Sequence, residues 1–169
     1  MKNIALVGFM GTGKTSVARK VALLVHAEYV DIDDCIEKKE GMPIVDIFKK
    51  KGEPYFRGVE KSVVRDIAAK KGNVIACGGG VALDRDNIAA LKGNGVVICL
   101  EARPEIILER TRAYAHRPLL NVPDPKAAIE ELLAKRRPFY AQADYSIDTS
   151  LLSVDEVAAE IISWTNGKL

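Results

Sequence analysis

The stretch Gly8-Phe9-Met10-Gly11-Thr12-Gly13-Lys14-Thr15 decides the fold, because it follows the apolar run 3–7 and precedes a helical stripe of Val17, Val21 and Leu24. It matches G-x-x-x-x-G-K-[ST] in the context that gives the pattern meaning, after a strand and at the start of a helix. Glycines let backbone N–H groups converge on an anion, and the partial positive charge of the helix N-terminus faces the same point. Lys14 then supplies a full charge for the outer phosphates, and the Thr15 hydroxyl a ligand for Mg2+. A glycine-rich turn that merely joins strand to helix is the plain alternative, and motif and context together set it aside. The expectation is a P-loop in which Gly11, Thr12, Gly13, Lys14, Thr15 and Ser16 hold a nucleotide.

Outward from the loop, Val- and Ile-rich runs at 28–32, 73–77, 96–100 and 145–148 alternate with longer amphipathic stretches. That alternation predicts an α/β fold built from βα units around a parallel sheet. Phe56, Val59, Val63 and Ile67 place a helix over about 55–70, and further helices are expected at 84–92, 104–111, 125–136 and 153–165. Pro104 and Pro125 suit first turns. The stretch 112–123, RAYAHRPLLNVP, fits neither period and reads as a basic, proline-broken mobile loop over the sheet edge.

The 169 residues, 48% apolar, are enough for one sizeable core and one domain, and no repeat or linker interrupts them. The net charge is +2, from 25 basic against 23 acidic residues, so the molecule as a whole is not expected to seek nucleic acid or anionic membrane. Three cysteines, Cys35, Cys77 and Cys99, lack a C-x-x-C and are odd in number, which argues against disulfides or zinc and for a reducing cytoplasm. All three are expected as small buried hydrophobes. His26 and His116 share no ligand spacing with them.

Around the phosphate cradle, Asp31 and Asp33 are expected to close the second strand, with a spacing of two that aims both carboxylates to one face and Asp34 away. One carboxylate can then serve a metal and the other a substrate hydroxyl; the alternative is that these residues cap the following helix. The third strand ends in glycines rather than an acid, which leaves Asp31 as the metal candidate. Gly78-Gly79-Gly80 suggests close approach of backbone to a ligand, or else a tight turn capped by Asp84. Arg57 and Glu60 lie three apart on the polar side of their helix, an ordinary exposed ion pair when taken alone. Arg136 emerges from the apolar stripe of Ile129 and Leu132, where an anion such as a carboxylate is its natural partner. Arg117, in the basic loop beside His116 and stiffened by a proline, is placed to close over phosphates.

The ordered set G-F-M-G-T-G-K-T, Asp31-Ile-Asp33, Phe56-Arg57-x-x-Glu60, Gly78-Gly79-Gly80, Arg110-Thr111, Arg117-Pro-Leu-Leu120 and Lys135-Arg136-x-Pro-x-Tyr140 closely resembles the shikimate kinase family, from Lys2 to about Thr149. The resemblance implies a P-loop fold similar to nucleoside monophosphate kinases, three-layered, with a five-stranded parallel sheet in order 2-3-1-4-5. It implies a single kinase domain over 1–169, with a substrate-binding segment at about 32–60 and a lid at about 112–123. The implied activity is ATP-dependent phosphorylation of the 3-hydroxyl of shikimate, on the route to chorismate and the aromatic amino acids. Lys14 and Thr15 would hold phosphates and Mg2+, with Asp31 supporting the metal through water and Asp33 acting as base. Arg57, Arg136 and the Gly78 to Gly80 backbone would bind the shikimate carboxylate, with Glu60 orienting Arg57. Arg117 would be the lid arginine and Arg110 would flank adenine. After Thr149 no distinctive motif marks the adenine loop. The substrates would be ATP and shikimate, with no nucleic acid or membrane partner, and a monomer in the cytoplasm is expected. Gluconate or nucleoside monophosphate kinases are the nearest rivals. A GTPase switch lacks its N-K-x-D and D-x-x-G here.

Overall fold

The five apolar runs form one parallel sheet in the computed structural model, which describes residues 1–112, 122–166 and 168. The strands are β1 (Asn3–Val7), β2 (Glu28–Asp31), β3 (Asn73–Ala76), β4 (Gly95–Glu101) and β5 (Tyr145–Asp148), in the order β2-β3-β1-β4-β5. β1 is central and wholly buried, with Leu6 in register with Ala76 on one side and Ile98 on the other. A strand buried on both faces reads as a continuous apolar run, which is how 3–7 reads. The helices are α1 (Lys14–Leu24), α2 (Ile32–Glu40), α3 (Ile44–Lys51), α4 (Glu53–Ala68), α5 (Arg85–Gly93), α6 (Pro104–Thr111), α7 (Pro125–Tyr140) and α8 (Val154–Thr165), with a 3-10 turn at Val81–Leu83.

Alternate residues of β1 feed two cores. Ile4 and Leu6 pack with Val17 and Val21 of α1 and Ile161 of α8, while Ala5 and Val7 pack with Ile32, Val63, Leu91 and Ile129 from the opposite layer. Each of the buried valine, leucine and isoleucine side chains among them contributes about 1.5–3 kcal/mol. On the first face, the single tryptophan, Trp164, stacks on Tyr145 with ring centroids 4.9 Å apart. Ser153 and Glu156 form a reciprocal cap that starts α8.

The structure departs from expectation in four places. β2 stops at Asp31 and α2 begins at Ile32, so Asp33 belongs to a helix rather than to the strand. α2 and α3 are short, and each is anchored by one or two buried isoleucines, Ile32 and Ile36 or Ile47, too few to show a period. α7 continues through Pro138 to Tyr140 rather than stopping at Arg136. Cys77 and Cys99 are buried, but Cys35 is only half-buried. Among the described residues no helix is long and apolar enough to cross a membrane. Residues 113–121, which include most of the lid expected at about 112–123, with His116 and Arg117, lie outside the described residues.

Candidate active site

The loop between β1 and α1 is shaped by backbone that only glycine adopts easily. Gly8 has φ +138° and lies against the Leu100 carbonyl of β4, leaving no room for a Cβ. Gly13, at φ 94°, is the left-handed N-cap of α1. The turn delivers Lys14 so that its Nζ donates to the carbonyls of Gly8 at 2.9 Å and Phe9 at 2.8 Å. Thr15 and Ser16 are exposed on the first turn of the helix.

Asp31 reaches the site as a helix cap. Its Oδ1 accepts from the Asp33 backbone N–H at 3.0 Å and its Oδ2 from the Tyr29 hydroxyl at 3.0 Å. The capping alternative therefore holds for Asp31, and the two carboxylates converge by a cap at the strand–helix junction rather than by the pleat of a strand. Asp34 is exposed, pointing away as expected. Asp33 is pushed up to about 6, by burial first and then by the negative charges of Asp31 and Glu60, with Lys14 opposing. A carboxylate with that affinity for a proton is suited to take one near neutral pH.

Beyond β3, the three glycines lie under side chains from two helices. A Cβ on Gly78 would come within 2.6 Å of Asp33 Oδ1, and one on Gly80 would displace the Arg57 guanidinium. Arg57 Nη1 donates to Glu60 Oε1 at 2.8 Å, and Arg57 also pairs with Glu53. Glu60 is only 2% exposed, so this is not the surface pair that sequence alone suggested. Burial raises the Glu60 pKa and Arg57 opposes the rise. Arg136, from α7, sits over the Phe9 ring at 5.4 Å and donates to the Gly79 carbonyl at 3.4 Å. No carboxylate pairs with it among the described residues. Asp84 caps α5, so the turn after the glycines is both close-packed and capped.

A cleft of about 590 Å³ joins these parts at the C-terminal ends of the strands. The segment from Met10 to Val17 forms its floor, Asp31, Asp33, Gly78 and Gly79 one end, and Arg110, Thr149, Leu152, Ser153 and Val154 the other. Ligands bind at this edge of open α/β sheets. Arg110 is held by Thr149, donating to its Oγ1 at 3.0 Å and to its carbonyl at 2.8 Å. The buried Thr149 hydroxyl also lies 3.1 Å from the Thr12 carbonyl, which ties that wall to the phosphate loop. Oxygen donors suited to a hard divalent cation, the Thr15 hydroxyl and the Asp31 carboxylate, line the same cleft. Among the described residues no cluster of three or more His, Cys, Asp or Glu could hold a metal ion, so a cation here would depend on nucleotide phosphates and water for its remaining ligands.

A family model described as shikimate kinase matches residues 10–166. The chain belongs to the shikimate kinase family. The shikimate kinase of Caldanaerobacter subterraneus subsp. tengcongensis is 52% identical over 162 residues, covering 96% of this chain and 95% of that one. That of Thermodesulfovibrio yellowstonii is 49% identical over 172 residues, covering 99% of both. Among solved structures, shikimate kinase from Acinetobacter baumannii in complex with shikimate superposes with a TM-score of 0.92 at 38% identity, covering 99% of this chain and 94% of that one. The Aquifex aeolicus enzyme gives 0.86 at 33% identity, covering 98% and 97%.

In this shikimate kinase family member, the fold brings Gly11 to Ser16, Asp31, Asp33, Gly78, Gly79 and Arg110 into one cleft. Arg57, paired with Glu60 and lying against Gly80, and Arg136, bonded to the Gly79 carbonyl, adjoin its Asp33 end through the glycine run. Arg117 lies outside the described residues. Sequence reasoning passed over Leu152, Ser153, Val154 and Val157, which wall the far end of the cleft. The one available signal was the Ser153-x-x-Glu156 capping box, which marks where α8 starts but not what faces the cleft.

Proposed function

We propose that this kinase transfers the γ-phosphoryl group of ATP to the 3-hydroxyl of shikimate, giving shikimate 3-phosphate and ADP on the route to chorismate and the aromatic amino acids. The observation that carries the reading is the placement of Asp33, a half-buried carboxylate pushed up to about 6, between the phosphate loop and the arginines Arg57 and Arg136. The loop N–H groups, Lys14, Thr15 and Ser16 hold the triphosphate. Arg110 and the Leu152 to Val154 wall flank the adenine. Arg57, oriented by Glu60, together with Arg136 and the Gly78 to Gly80 backbone, binds the shikimate carboxylate.

Asp33 accepts the proton of the attacking hydroxyl as the new P–O bond forms and the bond to the ADP oxygen breaks, and later releases that proton to water. Transfer through a loose transition state needs mainly alignment and charge neutralisation, so the base has a modest task. Thr15, directly, and Asp31, through water, are assigned as the Mg2+-facing groups. A bound Mg2+ would offset charge on the β- and γ-phosphates. Arg117 is assigned from the family pattern as the lid arginine that stabilises the transferring group. The kinase is expected to act as a monomer in the cytoplasm, on small molecules and not on nucleic acid.

A coupled assay with ATP and Mg2+ across shikimate, gluconate and nucleoside monophosphates tests this reading. Turnover is expected with shikimate alone. Turnover with gluconate or a nucleotide, and none with shikimate, replaces the substrate assignment while leaving the fold intact.

A further inference from the structure

Tyr140 closes α7 one turn beyond Arg136, so the two side chains share a helix face. Both reach one atom: Tyr140 Oη donates to the Gly79 carbonyl at 3.1 Å, and Arg136 Nη1 donates to the same oxygen at 3.4 Å. The tyrosine ring belongs to the core packed under α7 and is 5% exposed. Phenylalanine would fill that volume without burying a hydroxyl, and a buried hydroxyl is tolerated only when bonded. Packing therefore accounts for the ring but not for the oxygen; the Gly79 carbonyl accounts for the oxygen. Burial raises the phenol pKa, opposed by the Arg136 guanidinium, which hydrogen-bonds the same hydroxyl.

Arg136 has no carboxylate partner among the described residues, and its contact to Gly79 is at the long end for an N–H···O bond. A guanidinium so placed would settle onto any open carbonyl nearby, and Gly79 offers one. The Tyr140 hydroxyl takes one of the two lone pairs of that oxygen, so Arg136 meets it through Nη1 alone and at long range, and the rest of its fork stays available for a planar anion. We infer that Tyr140 is a positioning residue for the substrate carboxylate, its hydroxyl holding the Gly79 carbonyl so that Arg136 faces the substrate. The inference rests on the proposed reading of Arg136 and the glycine run as the acid-binding niche.

The test is steady-state kinetics and thermal melting of Tyr140→Phe, Arg136→Ala and the double variant. Tyr140→Phe is expected to raise the KM for shikimate about fivefold, with the KM for ATP and the melting midpoint unmoved. Arg136→Ala raises the shikimate KM by itself, and adding Tyr140→Phe to it produces no further rise. An unchanged shikimate KM in Tyr140→Phe overturns the inference. So do a parallel rise in both KM values with a lower melting midpoint, which marks a purely structural hydroxyl, and additive effects in the double variant. If Arg136→Ala leaves the shikimate KM where it was, the niche itself is misassigned and the inference falls with it. A rise in Arg136→Ala with none in Tyr140→Phe removes the inference and spares the niche.

Discussion

At the Gly8 to Thr15 end of the cleft the groups facing a ligand are mostly backbone N–H, fixed by glycine conformations and the start of α1. At the Asp33 end they are side chains carried by α2, α4 and α7, held by ion pairs and single hydrogen bonds. The first end is stiff because changing it means refolding a turn against β4. The second is adjustable, since each group can be shifted by one neighbour. Damage to the phosphate end should therefore act on every turnover, whereas damage to the other end should act chiefly on one substrate.

The largest effect is expected from Lys14→Ala, which should lower turnover about a thousandfold or more with an unchanged melting curve; full activity removes the phosphate assignment. Next, Asp33→Asn should cut kcat about a hundredfold while ATP affinity, read by calorimetry, barely moves. In the parent enzyme, kcat/KM for shikimate should fall as pH drops through about 6, where Asp33 takes up its proton. Stability runs the other way. The folded-state pKa lies above the ordinary 3.8, so the contribution of this group to stability declines as pH rises from about 4 to about 6 and the cost persists above. Asp33→Asn should accordingly raise the melting midpoint near neutral pH and leave it little changed below about pH 4. A smaller effect should follow Gly80→Ala: φ −95° suits alanine, yet the new Cβ pushes Arg57 aside, so the shikimate KM should rise about tenfold with ATP unaffected. Smallest is Thr149→Val, which removes the Oγ1 acceptor from Arg110 while leaving its bond to the Thr149 carbonyl, and should raise the ATP KM about threefold, whereas Thr149→Ser should not. Equal changes in both KM values for either of the last two would erase the contrast between the ends.

The same contrast explains what could be read from residues alone. A backbone cradle demands particular residue types at fixed spacing, so Gly8 to Thr15 was visible, as was the strand–helix alternation that places it. Asp31 and Asp33 were found for a reason that the structure replaces, a strand pleat instead of a helix cap. Glu60 looked like a surface residue because it is charged, although it stands four residues from Phe56 and three from Val63, on the buried face of α4. α2 and α3 bury too few side chains to stamp a period on the sequence, and the helix expected at 125–136 runs on through Pro138 to Tyr140. The wall formed by Leu152, Ser153, Val154 and Val157 uses three ordinary aliphatic residues and a serine, whose place on the cleft depends on where α8 docks.

The lone indole offers a practical lever. Trp164 lies ten residues along α8 from Val154 at the cleft rim, about 15 Å by helical rise, stacked on Tyr145 and covered by the Lys168 ammonium at 3.7 Å. Its emission should follow the undocking of α8 from β5 and stay silent when either substrate arrives, which makes the chain its own optical thermometer, separate from its catalysis.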